Sequence, residues 1–203
     1  RASDLGRFEF EGLQHAEAAV ASGRGVLCVS GHYGGWELQA LAAGAQGVPI
    51  CVVVRPLDNP YLEARLRRLR TSTGNLVIDK REGFRPMLQA LRAGKAVAVL
   101  IDQNVAGDER IFVPFFGVPA STTPALGLLE VRTDAVVLPV FAFPIEDGRW
   151  RLVYGPPVEV PRTGDRTEDV RRVTEACTRI LEERIREHPH LWLWMHNRWK
   201  TRP

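Results

Sequence analysis

Two residues have types and spacing suited to acid–base chemistry. They are His32 and Glu37, in the run VLCVSGHYGGWEL from Val26 to Leu38. An imidazole can take a proton from an attacking hydroxyl near neutral pH. A carboxylate on its other ring nitrogen orients the ring and stabilises the imidazolium that forms. Residues five apart on one straight helix do not face each other. With His32 in a loop and Glu37 in the first turn of a helix, the chain can fold back and bring them together. No serine or cysteine is needed if the nucleophile is a hydroxyl of the substrate. The same residues also suit a plain helix start, with His32 as a cap and Glu37 at the positive end of the helix dipole. The spacing alone leaves both uses open.

The elements that must position this pair are legible around it. Val26–Val29 is an apolar run of strand length, and a helical pattern begins at Trp36, continues to Ala43 and closes at Gly44. His32 therefore falls where a strand ends and a helix begins, at the sheet edge where α/β proteins place their chemistry. Gly34 and Gly35 remove side chains beside it, so backbone and substrate can come close.

Other strands deliver polar residues in the same way. Val48–Val54 ends at Arg55, and Ala96–Ile101 ends at Asp102, Gln103 and Asn104. Further strands are predicted at Leu76–Ile78, Ala135–Phe143 and Arg149–Tyr154, the last two forming a hairpin through Glu146-Asp147-Gly148. Helices are predicted at Phe8–Ser22, Tyr61–Thr71, Phe84–Arg92, Thr122–Thr133 and Thr167–Glu187. Val105–Pro119 carries no helical period and reads as a loop. Its run Phe112-Val113-Pro114-Phe115-Phe116-Gly117 suits an apolar groove, a membrane contact or loop residues tucked into the core. Alternating strands and helices, with no repeat or linker, predict one α/β domain over residues 1–203. Its central sheet is mostly parallel, flanked by helices, with antiparallel strands near the end.

Composition narrows the function classes. The chain has 203 residues, 45% hydrophobic and 25% charged, with a net charge of +3. These are values of a globular protein with a sizeable core, and the charge is too small to argue for nucleic acid. Basic residues cluster between Arg55 and Lys95, with ten Lys or Arg against four acids. That excess suits an acidic protein partner or anionic headgroups, or simply a solvated face. The three cysteines, Cys28, Cys51 and Cys177, have no Cys-x-x-Cys spacing, so neither a disulfide framework nor a zinc site is expected. No Gly-x-Ser-x-Gly elbow is present, against a serine hydrolase.

Four separated blocks resemble one family in order and spacing. Gly31-His32-Tyr33-Gly34-Gly35-Trp36-Glu37-Leu38 is similar to the His-x4-Glu block of the late acyltransferases of lipid A biosynthesis, within the lysophospholipid acyltransferase superfamily. Val54-Arg55-Pro56 with Asp58-Asn59-Pro60 resembles its second block. Asp102-Gln103, the phenylalanine run and Pro119-Ala120-Ser121-Thr122 resemble its third, and Trp194-Met195-His196-Asn197-Arg198-Trp199-Lys200 its closing signature. Phosphatidylinositol mannoside acyltransferases are similar too, so the acceptor stays open.

The resemblance implies a glycerolipid-acyltransferase-like fold. It also implies acyl transfer from a thioester of acyl carrier protein or coenzyme A to a glycolipid hydroxyl, without metal or cofactor. The place of action would be the cytoplasmic face of the bacterial inner membrane, with a hydrophobic segment before Arg1. His32 is then the general base and Glu37 its orienting carboxylate. Gly34 and Gly35 donate N–H groups to the oxyanion, and Arg55 binds a phosphate. Asp102 and Gln103 shape the site, while Phe112, Phe115, Phe116 and Gly117 border the acyl groove. A thioester hydrolase using the same pair, or a non-catalytic lipid-binding domain, is the rival expectation.

Overall fold

The computed structural model describes residues 6–203. The expected domain start at Arg1 lies outside the described residues. Nine strands and six helices follow in chain order. They are β1 (Phe8–Glu11), α1 (Leu13–Ala21), β2 (Val26–Ser30), α2 (Trp36–Ala45), β3 (Ile50–Val54), α3 (Pro60–Thr71), β4 (Leu76–Asp79), α4 (Phe84–Arg92) and β5 (Ala96–Leu100). Then come β6 (Ile111–Phe115), β7 (Val118–Thr122), α5 (Ala125–Thr133), β8 (Val136–Pro144), β9 (Trp150–Tyr154) and α6 (Arg166–Glu187).

Seven strands form the sheet, in the order β1-β9-β8-β2-β5-β3-β4. From β8 to β4 every pairing is parallel, whereas β9 runs antiparallel to β8. This is the mixed α/β sheet expected from the alternating pattern. Strands buried on both faces split their side chains between two cores. Leu27 and Val29 of β2 face α4, α5 and α6 through Leu91, Leu129, Val173 and Leu181. Val26 and Cys28 face α1 and α2 through Ala19, Ala42 and Ala43. All three cysteines are free and buried, and burial pushes the Cys28 and Cys177 thiols up to about 12, so they remain protonated packing groups.

Two expectations are corrected. The predicted helix Phe8–Ser22 begins with a strand instead. Its Phe-Glu-Phe-Glu alternation pairs with β9 at the sheet edge, and Gly12 turns the chain into α1 at φ 70. A Cβ at Gly12 would lie 2.0 Å from the Tyr154 carbonyl oxygen, so the turn needs glycine. The predicted loop Val105–Pro119 contains β6 and the start of β7, a hairpin separate from the main sheet. Phe116 and Gly117 form its turn at φ 53 and 76, the left-handed pair that tight hairpins require. Pro114 and Pro119 oppose one another in this ladder, and a two-stranded ribbon tolerates them because both its strands are edges.

Candidate active site

Sheet register builds the site. Ser30 at the end of β2 pairs with Leu100 at the end of β5, and the Ile101 N–H extends the ladder to the Ser30 carbonyl at 3.1 Å. Two residues beyond that pair on each strand, His32 and Asp102 emerge side by side. The His32 Nδ1 lies 2.8 Å from Asp102 Oδ1, and the His32 backbone N–H donates to Asp102 Oδ2, also at 2.8 Å. The indole Nε1–H of Trp192 donates to the same oxygen at 2.9 Å. Asp102 is only 3% exposed. Burial pushes its carboxyl up, but the His32 ring, the Trp192 indole and the His32 N–H together outweigh burial and hold it below the usual carboxylate range. An ionised Asp102 accepts hydrogen bonds only, so the network places the His32 proton on Nδ1. Nε2 is then the unprotonated ring nitrogen, and the Gln103 side-chain amide donates to it at 3.3 Å.

The expected pairing of Glu37 with His32 is therefore corrected. Glu37 sits in the first turn of α2 and is held by Arg70 of α3 through both carboxylate oxygens, with Arg70 Nε at 3.1 Å. Between the two pairs stands Trp36, its ring 5.4 Å from the His32 ring. Helix geometry turns Glu37 toward α3, while strand register had already supplied His32 with a carboxylate.

The expected oxyanion donors are corrected as well. The Gly34 N–H donates to the Leu191 carbonyl at 2.9 Å and the Gly35 N–H to the Ala142 carbonyl at 3.0 Å. Both are spent on structure. Their lack of side chains serves packing: a Cβ at Gly34 would lie 2.0 Å from Ala142 O, and one at Gly35 would lie 2.6 Å from the Trp150 ring. Gly31 similarly makes room for Leu181 and the Asp102 carboxyl. α2 has no side-chain cap, and in its first turn the Leu38 N–H donates to the Gly35 carbonyl at 2.8 Å.

Arg55 follows β3 at the same sheet edge, but its side chain is 78% exposed and 3.6 Å from Asp58. It is available to a ligand and is not joined to His32. The phenylalanines do not border an open groove as a set. Phe115 is fully buried, its ring 5.4 Å from Trp192 and 5.7 Å from Trp199, so it supports the floor behind Asp102. Phe116 packs against this core under Arg186, and its N–H donates to Glu182 at 2.6 Å. Phe112 is half-buried beside Arg110, and Gly117 is the hairpin turn.

The closing segment turns out to be a clamp. Tyr33 and Trp192 form an antiparallel bridge, and the Leu193 N–H donates to the His32 carbonyl at 3.0 Å. Beyond it the Asn104 N–H donates to His196 Nε2 at 2.7 Å. Burial lowers the His196 pKa, so this imidazole stays a neutral acceptor. Arg198 is 1% exposed, bonded to the Ser121 carbonyl and the Thr122 hydroxyl and stacked 5.3 Å over the Phe115 ring. Burial pulls its pKa down to about 10 and the Asp102 charge opposes that, so it is a cation at neutral pH. Arg70, Trp192 and Arg198 were missed as site residues. For Arg198 the available signal was position in the closing signature, whereas Trp192, two residues before that signature, and Arg70 had none. Among the described residues, no cluster of three or more His, Cys, Asp or Glu side chains could hold a metal ion.

A mostly parallel α/β sheet thus carries a histidine–carboxylate pair at the carboxyl ends of two adjacent strands, β2 and β5. The family model for bacterial lipid A biosynthesis acyltransferases matches residues 5–201, and the chain belongs to that family. It is 26% identical over 199 residues to a lipid A biosynthesis acyltransferase of Haemophilus influenzae, covering 97% of this chain and 60% of that protein. With the lipid A biosynthesis lauroyltransferase of Escherichia coli K12 it shares 29% identity over 197 residues, covering 96% and 62%. With the palmitoleoyltransferase of the same organism it shares 30% over 198 residues, covering 97% and 62%. The chain thus spans 60–62% of the length of these relatives.

Proposed function

We propose that the chain is an O-acyltransferase that moves a fatty acyl group from a thioester, on acyl carrier protein or coenzyme A, to a hydroxyl of a glycolipid such as a lipid A precursor. It does so at the cytoplasmic face of the bacterial inner membrane, with no cofactor. The observation that carries this reading is the His32–Asp102 pair, which leaves Nε2 as the unprotonated nitrogen, met by the amide of the exposed Gln103. Nε2 takes the proton of the acceptor hydroxyl as its oxygen attacks the thioester carbonyl. Asp102 stabilises the imidazolium through Nδ1–H. The tetrahedral oxyanion collapses, the carbon–sulfur bond breaks, and the imidazolium returns its proton to the departing thiolate. In this reading the acceptor hydroxyl takes over the position against Nε2 that the Gln103 amide holds. Arg55, whose side chain is 78% exposed at the same sheet edge, supplies positive charge for a phosphate on acceptor or donor.

The test is an acyl-transfer assay with acyl carrier protein and coenzyme A thioesters of several chain lengths, followed by mass spectrometry of the lipids. A glycolipid heavier by one acyl group, absent with His32→Ala, is the expected product. Thioester loss without acylated lipid means a hydrolase, and undiminished turnover in His32→Ala removes the mechanism.

A further inference from the structure

Resting on that reading of the acceptor as a lipid, we infer that the sheet edge bearing His32 is itself a bilayer-docking face, seated on anionic lipid by α3 on one side and the Trp194-Met195 loop on the other. α3 is well formed yet contains no buried residue. Asn59 caps it, accepting the N–H groups of Tyr61 and Leu62, and Pro60 starts it. A helix with so little tertiary packing holds its apolar side chains in water unless something else covers them. Tyr61 is 85% exposed, and Leu57, Leu62 and Leu69 are also exposed. Arg65 and Arg68 share this outer side. Among the described residues, neither meets a carboxylate at salt-bridge distance, unlike Arg55, Arg70 and Arg81.

Position links this helix to the site. α3 follows the carboxyl end of β3, and Arg70 in its last turn reaches Glu37 in the first turn of α2. Tyr61, nine residues earlier, sits roughly 13 Å away along the helix axis, at the end of α3 that follows the exit of β3. On the other side of His32, Leu193 is bonded to the His32 carbonyl, and the next two residues are exposed, Met195 to 92%. Tryptophan, tyrosine and arginine beside exposed leucine and methionine are the side chains an interface holds at headgroup depth. α3 itself carries Arg65, Arg67, Arg68 and Arg70 against the single acid Glu63, which favours anionic headgroups. An acidic carrier protein would meet the arginines but has less use for apolar groups spread over both flanks of the site.

The experiment is vesicle co-sedimentation of the 203-residue chain. One set of vesicles is phosphatidylcholine alone, and the other is phosphatidylcholine with phosphatidylglycerol. Binding is expected to the anionic set and to weaken with salt. Tyr61→Asp with Leu62→Asp should lower partition at least tenfold. Arg65→Gln with Arg68→Gln should lower it about fivefold per arginine. Circular dichroism should be unchanged, because α3 supplies no core residue. Val20→Asp, also exposed (46%) but on α1 near the opposite sheet edge, should bind as the parent does. Equal binding to neutral vesicles, unaltered binding by both α3 variants, or binding only to acyl carrier protein would overturn the inference. A chain that binds vesicles but transfers no acyl group keeps the docking face and loses the reaction. One that acylates a detergent-dispersed acceptor but ignores vesicles does the reverse.

Discussion

The two ends of the central sheet are made from the same strands and behave differently. At the amino-terminal edge β2, β3, β4 and β5 are entered through turns at Gly25, Gly47, Gly74 and Gly94. Around those turns Val20, Val48, Pro49, Leu76 and the stem of Lys95 border a cavity of about 440 Å³ whose lining carries no acid and no imidazole. At the carboxyl-terminal edge the strands end in polar residues: His32 after β2, Arg55 after β3, Asp79 closing β4 and Asp102 after β5. Parallel strands make this asymmetry systematic, because each chain entry lies on one edge and each exit on the other. The lesson is that helix-to-strand turns here serve geometry, while strand-to-helix turns bring distant polar residues into contact.

The contrast predicts effects that shrink with distance from His32. His32→Ala should cost the most, roughly 10²–10⁴-fold in turnover. Asp102→Asn should cost nearly as much, and the double variant little more than either, since the pair acts as a unit. Single-turnover rates of the three variants measure this, and additive losses would break the pairing. Glu37→Gln should act differently, freeing Arg70 and leaving the pH dependence of turnover in place.

Asp102 also links the site to stability. Its folded-state carboxyl titrates below the unfolded value of about 3.9, so its contribution is present above that pH and is lost as pH falls through the lower folded value. Denaturant titrations between pH 7 and pH 2 should show this acid-side loss in the parent and a flatter limb in Asp102→Asn. Trp192→Phe keeps an aromatic ring but removes an N–H donated to a buried carboxylate, and should cost about 1.5–3 kcal/mol by the same titrations. The smallest effect belongs to the far edge. Gly47→Ala meets no atom but sits at φ 88, so about 1 kcal/mol of strain with unchanged turnover is expected. A large activity loss there would contradict the division of labour between the edges.

Much of this organisation was legible in the sequence, and for identifiable reasons. Apolar runs of strand length ending in polar residues marked β2, β3 and β5, and so placed His32, Arg55, Asp102 and Gln103 at one edge before any contact was known. The hairpin β6–β7 was not legible, because its Phe-Val-Pro-Phe-Phe-Gly run mixes strand formers with proline, and only the Phe116-Gly117 turn makes it a ribbon. Nor was the strand at Phe8–Glu11, which is stabilised by β9 some 140 residues away.

By itself the sequence determined the α/β class, the edge where polar residues collect and the histidine among them, since these follow from local periodicity and strand ends. Only the tertiary structure decided which carboxylate serves that histidine. Glu37 is five residues away and turns to Arg70, whereas Asp102, seventy residues away, arrives through the parallel register of β2 with β5. Local spacing cannot encode that choice, because it is set by which strands become neighbours and how far each is slid along the other.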